Sequence, residues 1–413
     1  MAPVSLGQGF LAMFNAAVRR QRRPLITMLA RGLVDVPSPL YDEAVRLLRS
    51  LSGSHGIRAS LSTTANYAAV FTRDAVMAGV AGLLTEDPII SRALARTVEH
   101  LRDLQGPEGQ LASNYELHDG QPPRVSFGTL VPRIDATTWY MIGVALCVRA
   151  GLVDRVAFAD SVRTVVRLLD ALEYNGRHLV YVPVGGNWAD EYVYEGYVLH
   201  DQVLRAWALR LAGDVFAEPA WLDKAGKIEG AIEANFWPGE TDRRYPIAAY
   251  TPVRVHDMFD LATCSLLALS GVAPAIGARS LDFIADEWLA RSALPPAFHP
   301  VIDRSHTEWP ALSRYHLHGF RNHPHEYHNG GIWPIWLGWL GLALARRGRS
   351  ADLERLRDAF ARRVGTIDGY GFEEFFHGET GRPGGTAQMA YSATGVVFLR
   401  AAGASERLTL LAP

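Results

Sequence analysis

The chain has 413 residues, of which 48% are hydrophobic and 20% are charged, and its formal net charge is -2. This balance is typical of a globular protein and excludes the strongly basic surface that binds nucleic acid or an anionic membrane. The most apolar stretch begins at Ile332 and runs for about 14 residues, short of the roughly 20 that cross a bilayer. Residues 1–39 form an arginine-rich amphipathic arm without the features of a secretory signal, so we expect a cytoplasmic protein.

Apolar residues recur with the 3.6-residue period of an α-helix along most of the chain, and strand patterns are almost absent. We therefore predict an all-α protein with a single domain over residues 40–413. Cys147 and Cys264 each lie in an apolar helical segment, which predicts buried, reduced thiols. The predicted helices cover Leu40–Ser52, Asn66–Leu84, Ile89–Leu104, Ala136–Ala150, Ala157–Leu172, Tyr194–Ala212, Pro219–Phe236, Met258–Ser270, Pro274–Leu289, Gly331–Arg346, Leu353–Val364 and Ala387–Ala401.

Unusual polar residues form six clusters along the chain. Each cluster lies near the start of a predicted helix, and about every second helix has one. Twelve helices in two concentric rings, an (α/α)6 barrel, would bring alternate helix N-termini together, where free N–H groups favour polar ligands. A solenoid of stacked helix pairs is the alternative, but the chain lacks the fixed-length repeats of a solenoid. The clusters are Arg73-Asp74, Asp135, Trp188-Asp190-Glu191, His256-Asp257-Asp260, His325-Glu326-His328-Asn329 and Glu373-Glu374.

Acidic and aromatic residues are neighbours in these clusters, as in Asp135 before Trp139 and Trp188 before Asp190. Cleavage of a glycosidic bond requires a proton on the leaving oxygen and an activated water or a nucleophile, which enzymes supply with two carboxyl groups. Aromatic rings cover the apolar C–H face of a sugar. The combination predicts a sugar-cleaving enzyme, although Asp135 taken singly is explained equally well as a helix N-cap.

Five histidines between His316 and His328 raise the question of a metal site. Their spacing differs from the HExxH arrangement, and Pro324 with the Gly330-Gly331 pair places the segment in a loop. We therefore predict no metal and no cofactor, and a loop that hydrogen-bonds to the sugar. The sequence also contains neither a glycine-rich phosphate loop nor a serine-hydrolase elbow.

At these clusters the sequence resembles the alkaline/neutral invertases of plants and cyanobacteria. More distantly it resembles the glucosidase domain of glycogen debranching enzymes, also an (α/α)6 barrel. The similar segments follow one another in the same order from about Phe71 to about Gly395. They are Phe71-Thr72-Arg73-Asp74, Arg133-Ile134-Asp135 with Trp139, Trp188-Ala189-Asp190, His328 to Pro334, and Glu374-Phe375-Phe376.

The resemblance implies an inverting hydrolase in which Asp135 is the general acid and Glu374 the general base. Glu373 would then face away from the substrate. Asn187 stands where the relatives have aspartate, in a segment that would contact the leaving sugar. The residues expected to bind the substrate are Arg73, Asp74, Trp139, Trp188, Asp190, Asp260, His328, Asn329, Trp333 and Gln388.

The predicted function is hydrolysis of a small glycoside such as sucrose. An α-glucosidase acting on other oligosaccharide linkages is one alternative, and a sugar epimerase or isomerase that uses the histidines of the His316–His328 loop is another. A phosphorylase would need a more basic pocket, and a non-catalytic sugar-binding protein would have lost one of the two carboxylates. The expected partner is a small-molecule sugar, not nucleic acid or a membrane, and a homo-oligomer is left open.

Overall fold

The structure is a computed structural model. It describes residues 38–63, 66–128, 131–237, 242–314 and 319–412. Nearly all of the predicted N-terminal arm, residues 1–37, lies outside these ranges, and so do His316 and His318.

The twelve predicted helices are all present in the described part of the chain, which confirms the helical prediction. The largest difference in a boundary is at α2, which begins at Thr72 rather than Asn66 because the residues before it form a turn and a short strand. These twelve helices are α1 Ser38–Leu51, α2 Thr72–Thr85, α3 Pro88–Asp103, α4 Ile134–Arg149, α5 Ala159–Ala171, α6 Leu199–Phe216, α7 Pro219–Phe236, α8 Leu261–Ser270, α9 Pro274–Glu287, α10 Pro334–Arg346, α11 Ser350–Gly365 and α12 Ala390–Ala401. The loops and the C-terminal segment also contain a four-residue α-helix, Trp309–Leu312, and the short 3-10 helices Val156–Phe158, Leu289–Arg291 and Ser405–Leu411.

The even-numbered helices form a closed inner ring. Each contacts the next in the order α2, α4, α6, α8, α10 and α12, and α12 returns to contact α2. Their side chains are buried on nearly all faces, as in α8, where every residue is buried. Where α10 meets α12, a Cβ atom added to Gly338 would lie 2.7 Å from the Cα atom of Gly395, so glycine allows the two backbones to approach.

The odd-numbered helices form the outer ring, and each packs on an inner neighbour. The pairs are α3 with α2, α5 with α4, α7 with α6, α9 with α8 and α11 with α10, while α1 packs on α12. The outer helices are amphipathic, as in α5, where Val162, Val165, Val166 and Leu169 are buried. The ring closure confirms the (α/α)6 barrel and rules out an open solenoid.

The strand content is small, as expected, and consists of short antiparallel strands in the loops between helices. With two or three residues each, they are too short to produce a period-two pattern in the sequence. The larger sheets have the strand orders β3-β4-β5 and β6-β7-β8-β9. The strands are β1 Ser52–Gly53, β2 Gly56–Ile57, β3 Val70–Phe71, β4 Asn114–Glu116, β5 Arg124–Ser126, β6 Tyr181–Val182, β7 Gly196–Val198, β8 Ala249–Thr251, β9 Arg254–His256, β10 Phe259–Asp260, β11 Phe298–His299, β12 Phe375–Phe376 and β13 Pro383–Gly384.

The C-terminal segment packs against the inner helices. The side chains of Trp207 and Arg346 both donate hydrogen bonds to the carbonyl oxygen of Leu411, each at 3.2 Å. Cys147 and Cys264 are buried and unpaired, which confirms the prediction for both thiols. Within the described ranges, no helix has the combined length and apolar character that crossing a bilayer requires.

Candidate active site

A cavity of about 700 Å³ lies at the end of the barrel where the inner helices begin. Its wall contains residues from the first turns of α2 and α12 and from the loops that lead into α4, α6, α10 and α12. The described residues of the wall are Asn66, Tyr67, Phe71, Arg73, Asp74, Ser113, Asn114, Ser126, Gly128, Val131, Arg133, Val184, Gly185, Trp188, Asp190, Glu191, Arg321, Tyr327, Trp333, Glu374, Thr386, Met389 and Tyr391. Three of the six polar clusters in the sequence, those of Arg73-Asp74, Trp188-Asp190-Glu191 and Glu373-Glu374, therefore meet in one pocket.

Glu374 is a buried carboxylate in this wall, and both of its oxygens accept hydrogen bonds. The hydroxyl of Tyr67 donates to Oε1 at 2.9 Å, and the backbone N–H of Thr386 donates to Oε2 at 2.9 Å. Burial raises the pKa of Glu374 above that of an ordinary glutamate, while the two donors oppose the shift. The carboxylate is thus held in a fixed orientation with its charged form stabilised by hydrogen bonds.

Arg73 organises two aspartates at the start of α2 and α4. Its Nη1 atom lies 2.8 Å from Oδ2 of Asp135, and its Nε atom lies 3.3 Å from Oδ1 of Asp74. Burial raises the pKa of Asp74 to about 6, with a further increase from the charges of Asp135 and Asp190 and an opposing effect of Arg73. Asp74 and Arg73 reach the cavity, whereas Asp135 is 1% exposed and lies outside its wall.

The neighbouring acids Asp190 and Glu191 are held by two arginines from different loops. Arg133, which precedes α4, contacts Oδ2 of Asp190 at 3.0 Å and also donates to the carbonyl oxygen of Gly185. Arg321 donates from Nε to Oε2 of Glu191 at 3.0 Å and from Nη2 to the other carboxylate oxygen. The side chain of Asp190 is 31% exposed, the most accessible of the three aspartates near the cavity.

Aromatic rings supply the apolar part of the wall. Trp188 packs edge to face on Trp333 at 5.8 Å between ring centroids, and Trp333 lies 6.1 Å from Tyr391. The indole N–H of Trp188 is buried without a hydrogen-bond partner among the described residues. A sugar fits such a site, because its C–H face packs on rings while its hydroxyls pair with polar groups.

Five of the ten predicted substrate-binding residues line the cavity: Arg73, Asp74, Trp188, Asp190 and Trp333. The predicted catalytic residue Glu374 lines it as well. Glu373 does not, since its carboxylate accepts a hydrogen bond from the backbone N–H of Gly371, in agreement with the prediction that it faces away.

Asp135 and Trp139, predicted as the general acid and as a substrate-binding residue, are not among the described residues of the wall. The Asp135 side chain is buried and paired with Arg73, which does line the cavity. Trp139 lies one turn further along α4 and packs in the core, with Trp207 at 6.3 Å and Trp339 at 5.8 Å between ring centroids. A residue near a helix start faces the ligand only if its angular position on the helix allows it.

Three further residues predicted to bind the substrate do not line the cavity: Asp260, His328 and Asn329. Each of them instead holds a neighbouring part of the structure in place. Asp260 caps α8 by accepting a hydrogen bond from the backbone N–H of Thr263 at 3.1 Å. The ring of His328 is buried and is stacked on Trp333 at 5.4 Å between ring centroids. Asn329 joins two loops by exchanging hydrogen bonds with the backbone of Ile302.

Gln388 is exposed and does not line the cavity, which corrects its predicted contact with substrate. Its backbone N–H donates to the carbonyl oxygen of Gly371 at 2.7 Å. Asn187 is likewise buried outside the wall, where its amide donates to Oδ2 of Asp201 at 2.8 Å. An aspartate at position 187 would face the Asp201 carboxyl, so asparagine suits this site.

The described histidines of the histidine-rich loop pack against different side chains. His323 packs on Phe320 at 4.9 Å, His325 is stacked on His377 at 5.8 Å, and His328 lies against Trp333. Within the described ranges, no group of three or more histidine, cysteine, aspartate or glutamate side chains is arranged to hold a metal ion.

Sequence reasoning missed Tyr67, Arg133, Arg321, Tyr327 and Tyr391, all of which line the cavity. Position gave a signal for Arg133, two residues before Asp135, and for Tyr391 at the start of the last inner helix. Arg321 and Tyr327 lie inside the histidine-rich segment. Because this segment was interpreted from its histidines, the other two side chains were overlooked.

The buried N-cap Asp260 gives a testable pH dependence of stability. Burial raises the pKa of Asp260 to about 7, so the folded protein binds a proton more tightly than the unfolded chain. As the pH rises through that value, ionisation of the buried carboxyl group lowers the stability of the folded state. The amide of Asp260→Asn does not ionise, so the wild type should lose stability relative to this variant. The difference to measure is the unfolding free energy of Asp260→Asn minus that of the wild type. We expect this difference to be larger at pH 8 than at pH 5, by on the order of 1–3 kcal/mol.

Thermal unfolding of both proteins at the two pH values measures this difference. Asp87→Asn is a matched control, because Asp87 also caps a helix but pairs with Arg49 at 2.6 Å. That variant should be less stable than the wild type at both pH values. A stability difference for Asp260→Asn that does not change with pH would contradict the prediction.

No family model matches the chain. A stretch of 141 residues is 30% identical to probable alkaline/neutral invertase D of Arabidopsis thaliana and covers 33% of this chain. The predicted resemblance to alkaline/neutral invertases is confirmed. The match spans 25% of the length of the plant protein.

Solved structures share the fold over most of the chain. The GH63 mannosylglycerate hydrolase from Thermus thermophilus in complex with glucose matches with a TM-score of 0.61 at 14% identity, over 87% of this chain and 99% of that one. A bacterial glucoamylase in complex with acarbose matches with a TM-score of 0.60 at 16% identity, over 91% and 56% of the two chains. At such identities the likeness establishes the (α/α)6-barrel fold.

Proposed function

We propose that the chain is a glycoside hydrolase that cleaves a small glycoside such as sucrose with inversion at the sugar carbon. The observation that carries the proposal is the cavity itself, in which Glu374 and Asp190 stand in one wall lined by Trp188 and Trp333. The resemblance to an invertase and the fold shared with glycosidases support it. A cavity of about 700 Å³ is in the range that holds a small ligand.

Glu374 is proposed as the general base that removes a proton from the attacking water. A base must be ionised before it acts, and the hydrogen bonds from Tyr67 and Thr386 favour the ionised form. An inverting mechanism leaves space for the water between the two carboxyl groups, which are then roughly 6.5–9.5 Å apart.

Asp190 is the aspartate that the geometry supports best as general acid. A general acid must reach the oxygen of the leaving group, and Asp190 is both in the wall and more exposed than Asp74 or Asp135. In this proposal the contact between Arg133 and Asp190 opens when substrate binds, so that Asp190 can donate a proton to the leaving oxygen. Asp135 then acts as a positioning residue that orients Arg73. The assignment of the acid to Asp135, which follows from the invertase resemblance, is the competing hypothesis, and the variants described in the Discussion distinguish the two.

The epimerase or isomerase alternative is not favoured, because such enzymes act through pairs of histidines and the described wall residues include no histidine. An α-glucosidase acting on other oligosaccharide linkages uses the same two carboxylates and differs only in the substrate. The Thermus enzyme named above is a mannosylglycerate hydrolase, so a glycosylated acid is a further substrate to test. The buried, unpaired thiols of Cys147 and Cys264 support a reducing compartment such as the cytoplasm.

Incubation of the purified protein with a panel of disaccharides and small glycosides should release two products from at least one of them. NMR of the first turnovers should show the anomer opposite to that of the substrate. A retained anomer would overturn the inverting mechanism, and interconversion of a free monosaccharide without hydrolysis would overturn the proposed function.

A further inference from the structure

Each arginine in the described part of the cavity wall forms an ion pair with at least one carboxylate. Arg73 contacts Asp74 and Asp135, Arg133 contacts Asp190, and Arg321 contacts Glu191. In the same wall Glu374 forms no ion pair with an arginine of the described ranges and receives hydrogen bonds from Tyr67 and Thr386 instead. The described wall thus holds three arginines and four carboxyl groups, Asp74, Asp190, Glu191 and Glu374.

We propose that this cavity selects glycosides whose leaving group is uncharged, and that the Glu191–Arg321 pair is the specificity-determining element. The inference rests on the proposed glycoside hydrolase function. It goes further by assigning the class of leaving group and the residues that select it.

Arg321 is the wall arginine whose position depends least on a catalytic carboxylate. It makes a two-point contact with Glu191, and its guanidinium lies 4.2 Å from the ring centroid of Tyr327. The next residue, Asn322, donates a hydrogen bond from its side chain to the backbone oxygen of Glu191 at 2.7 Å. The loop before α10 is therefore joined to the loop before α6 beside the cavity.

This arrangement disfavours a carboxylate on the leaving group. Such a group would meet a guanidinium whose charge Glu191 already balances through Nε and Nη2, so it would gain little from binding Arg321. It would also lie near the Glu191 carboxylate and be repelled by it. Neutral hydroxyl groups can instead share hydrogen bonds with the existing pairs.

The matched probes are glucosylglycerol and glucosylglycerate, which differ by one carboxylate. Both serve as competitors against the neutral glycoside that the enzyme cleaves best in the substrate panel, so that neither has to be cleaved. For the wild type we expect the inhibition constant of glucosylglycerate to be at least about tenfold higher than that of glucosylglycerol. The difference should decrease at high salt, because salt screens charge repulsion.

Glu191→Gln should reverse part of this selection. It removes one negative charge and releases Arg321, which Tyr327 still holds by its ring face. We expect the ratio of the two inhibition constants to fall by about tenfold or more relative to the wild type. Glu195→Gln is the matched control, since it makes the same change in the same loop at a residue outside the described wall and should leave the ratio unchanged.

If the wild type binds both competitors equally, or if Glu191→Gln and Glu195→Gln give the same ratio, the inference is wrong while the hydrolase function stands. If the protein cleaves no glycoside of the panel, the proposed function fails and the inference fails with it. Arg321→Leu is a second variant in case Glu191→Gln does not fold. It leaves Glu191 unpaired, so the inhibition constant of glucosylglycerate should rise further, and a fall would contradict the inference.

Discussion

Glu374→Gln should lower kcat/KM by about 100- to 10,000-fold on every substrate, whatever the quality of its leaving group. The amide cannot accept a proton from water, so the attack step is lost in each case. Azide should restore part of the rate, because this small anion attacks without a base. In the wild type, kcat/KM should decrease on the acidic side at a pH above the ordinary pKa of glutamate, since burial raises the pKa of Glu374.

Glu373→Gln is the control for this experiment. It changes the neighbouring residue in the same way, but its carboxylate binds the backbone of Gly371 and does not line the cavity. The control should have nearly wild-type activity. Steady-state rates per folded molecule, with folding checked by thermal unfolding, separate a chemical defect from a structural one. If Glu374→Gln is fully active, Glu374 is not the base.

Asp190→Asn should lower kcat/KM by about 100- to 10,000-fold on a glycoside with a poor leaving group, such as a disaccharide. On an activated aryl glycoside the loss should be much smaller, because that leaving group departs with little protonation. Asp190 is accessible from the cavity, and this pattern is the one that loss of a general acid produces. Rates on both substrate types measure it directly.

Asp135→Asn should behave differently if the geometric assignment holds. The substitution removes one of the two carboxylates that hold Arg73, so it should weaken activity on disaccharide and aryl glycoside to a similar degree. It should also reduce stability by about 1–3 kcal/mol, because the buried guanidinium loses a charged partner. If the aryl glycoside rescues Asp135→Asn and does not rescue Asp190→Asn, the acid is Asp135, as the invertase resemblance implies.

The helices and their arrangement in two rings could be predicted from the residues alone. Inner helices such as α8 are apolar on all faces because neighbours surround them, and outer helices such as α5 have one apolar face. Helical periodicity records this difference directly, so it is visible without a structure. The recurrence of polar clusters at alternate helix starts likewise placed Arg73, Asp190 and Glu374 at one end of the barrel.

Which residues of these clusters face the cavity became clear only from the closed barrel. Asp135 and Asp260 are both acids at a helix start, yet one holds Arg73 and the other caps α8. Arg133 and Arg321 come from separate loops and meet at Asp190 and Glu191 only after the ring has closed. The physical reason is that helical periodicity records how far a side chain is buried, whereas a binding site depends on its direction and on the partner that reaches it from another part of the chain.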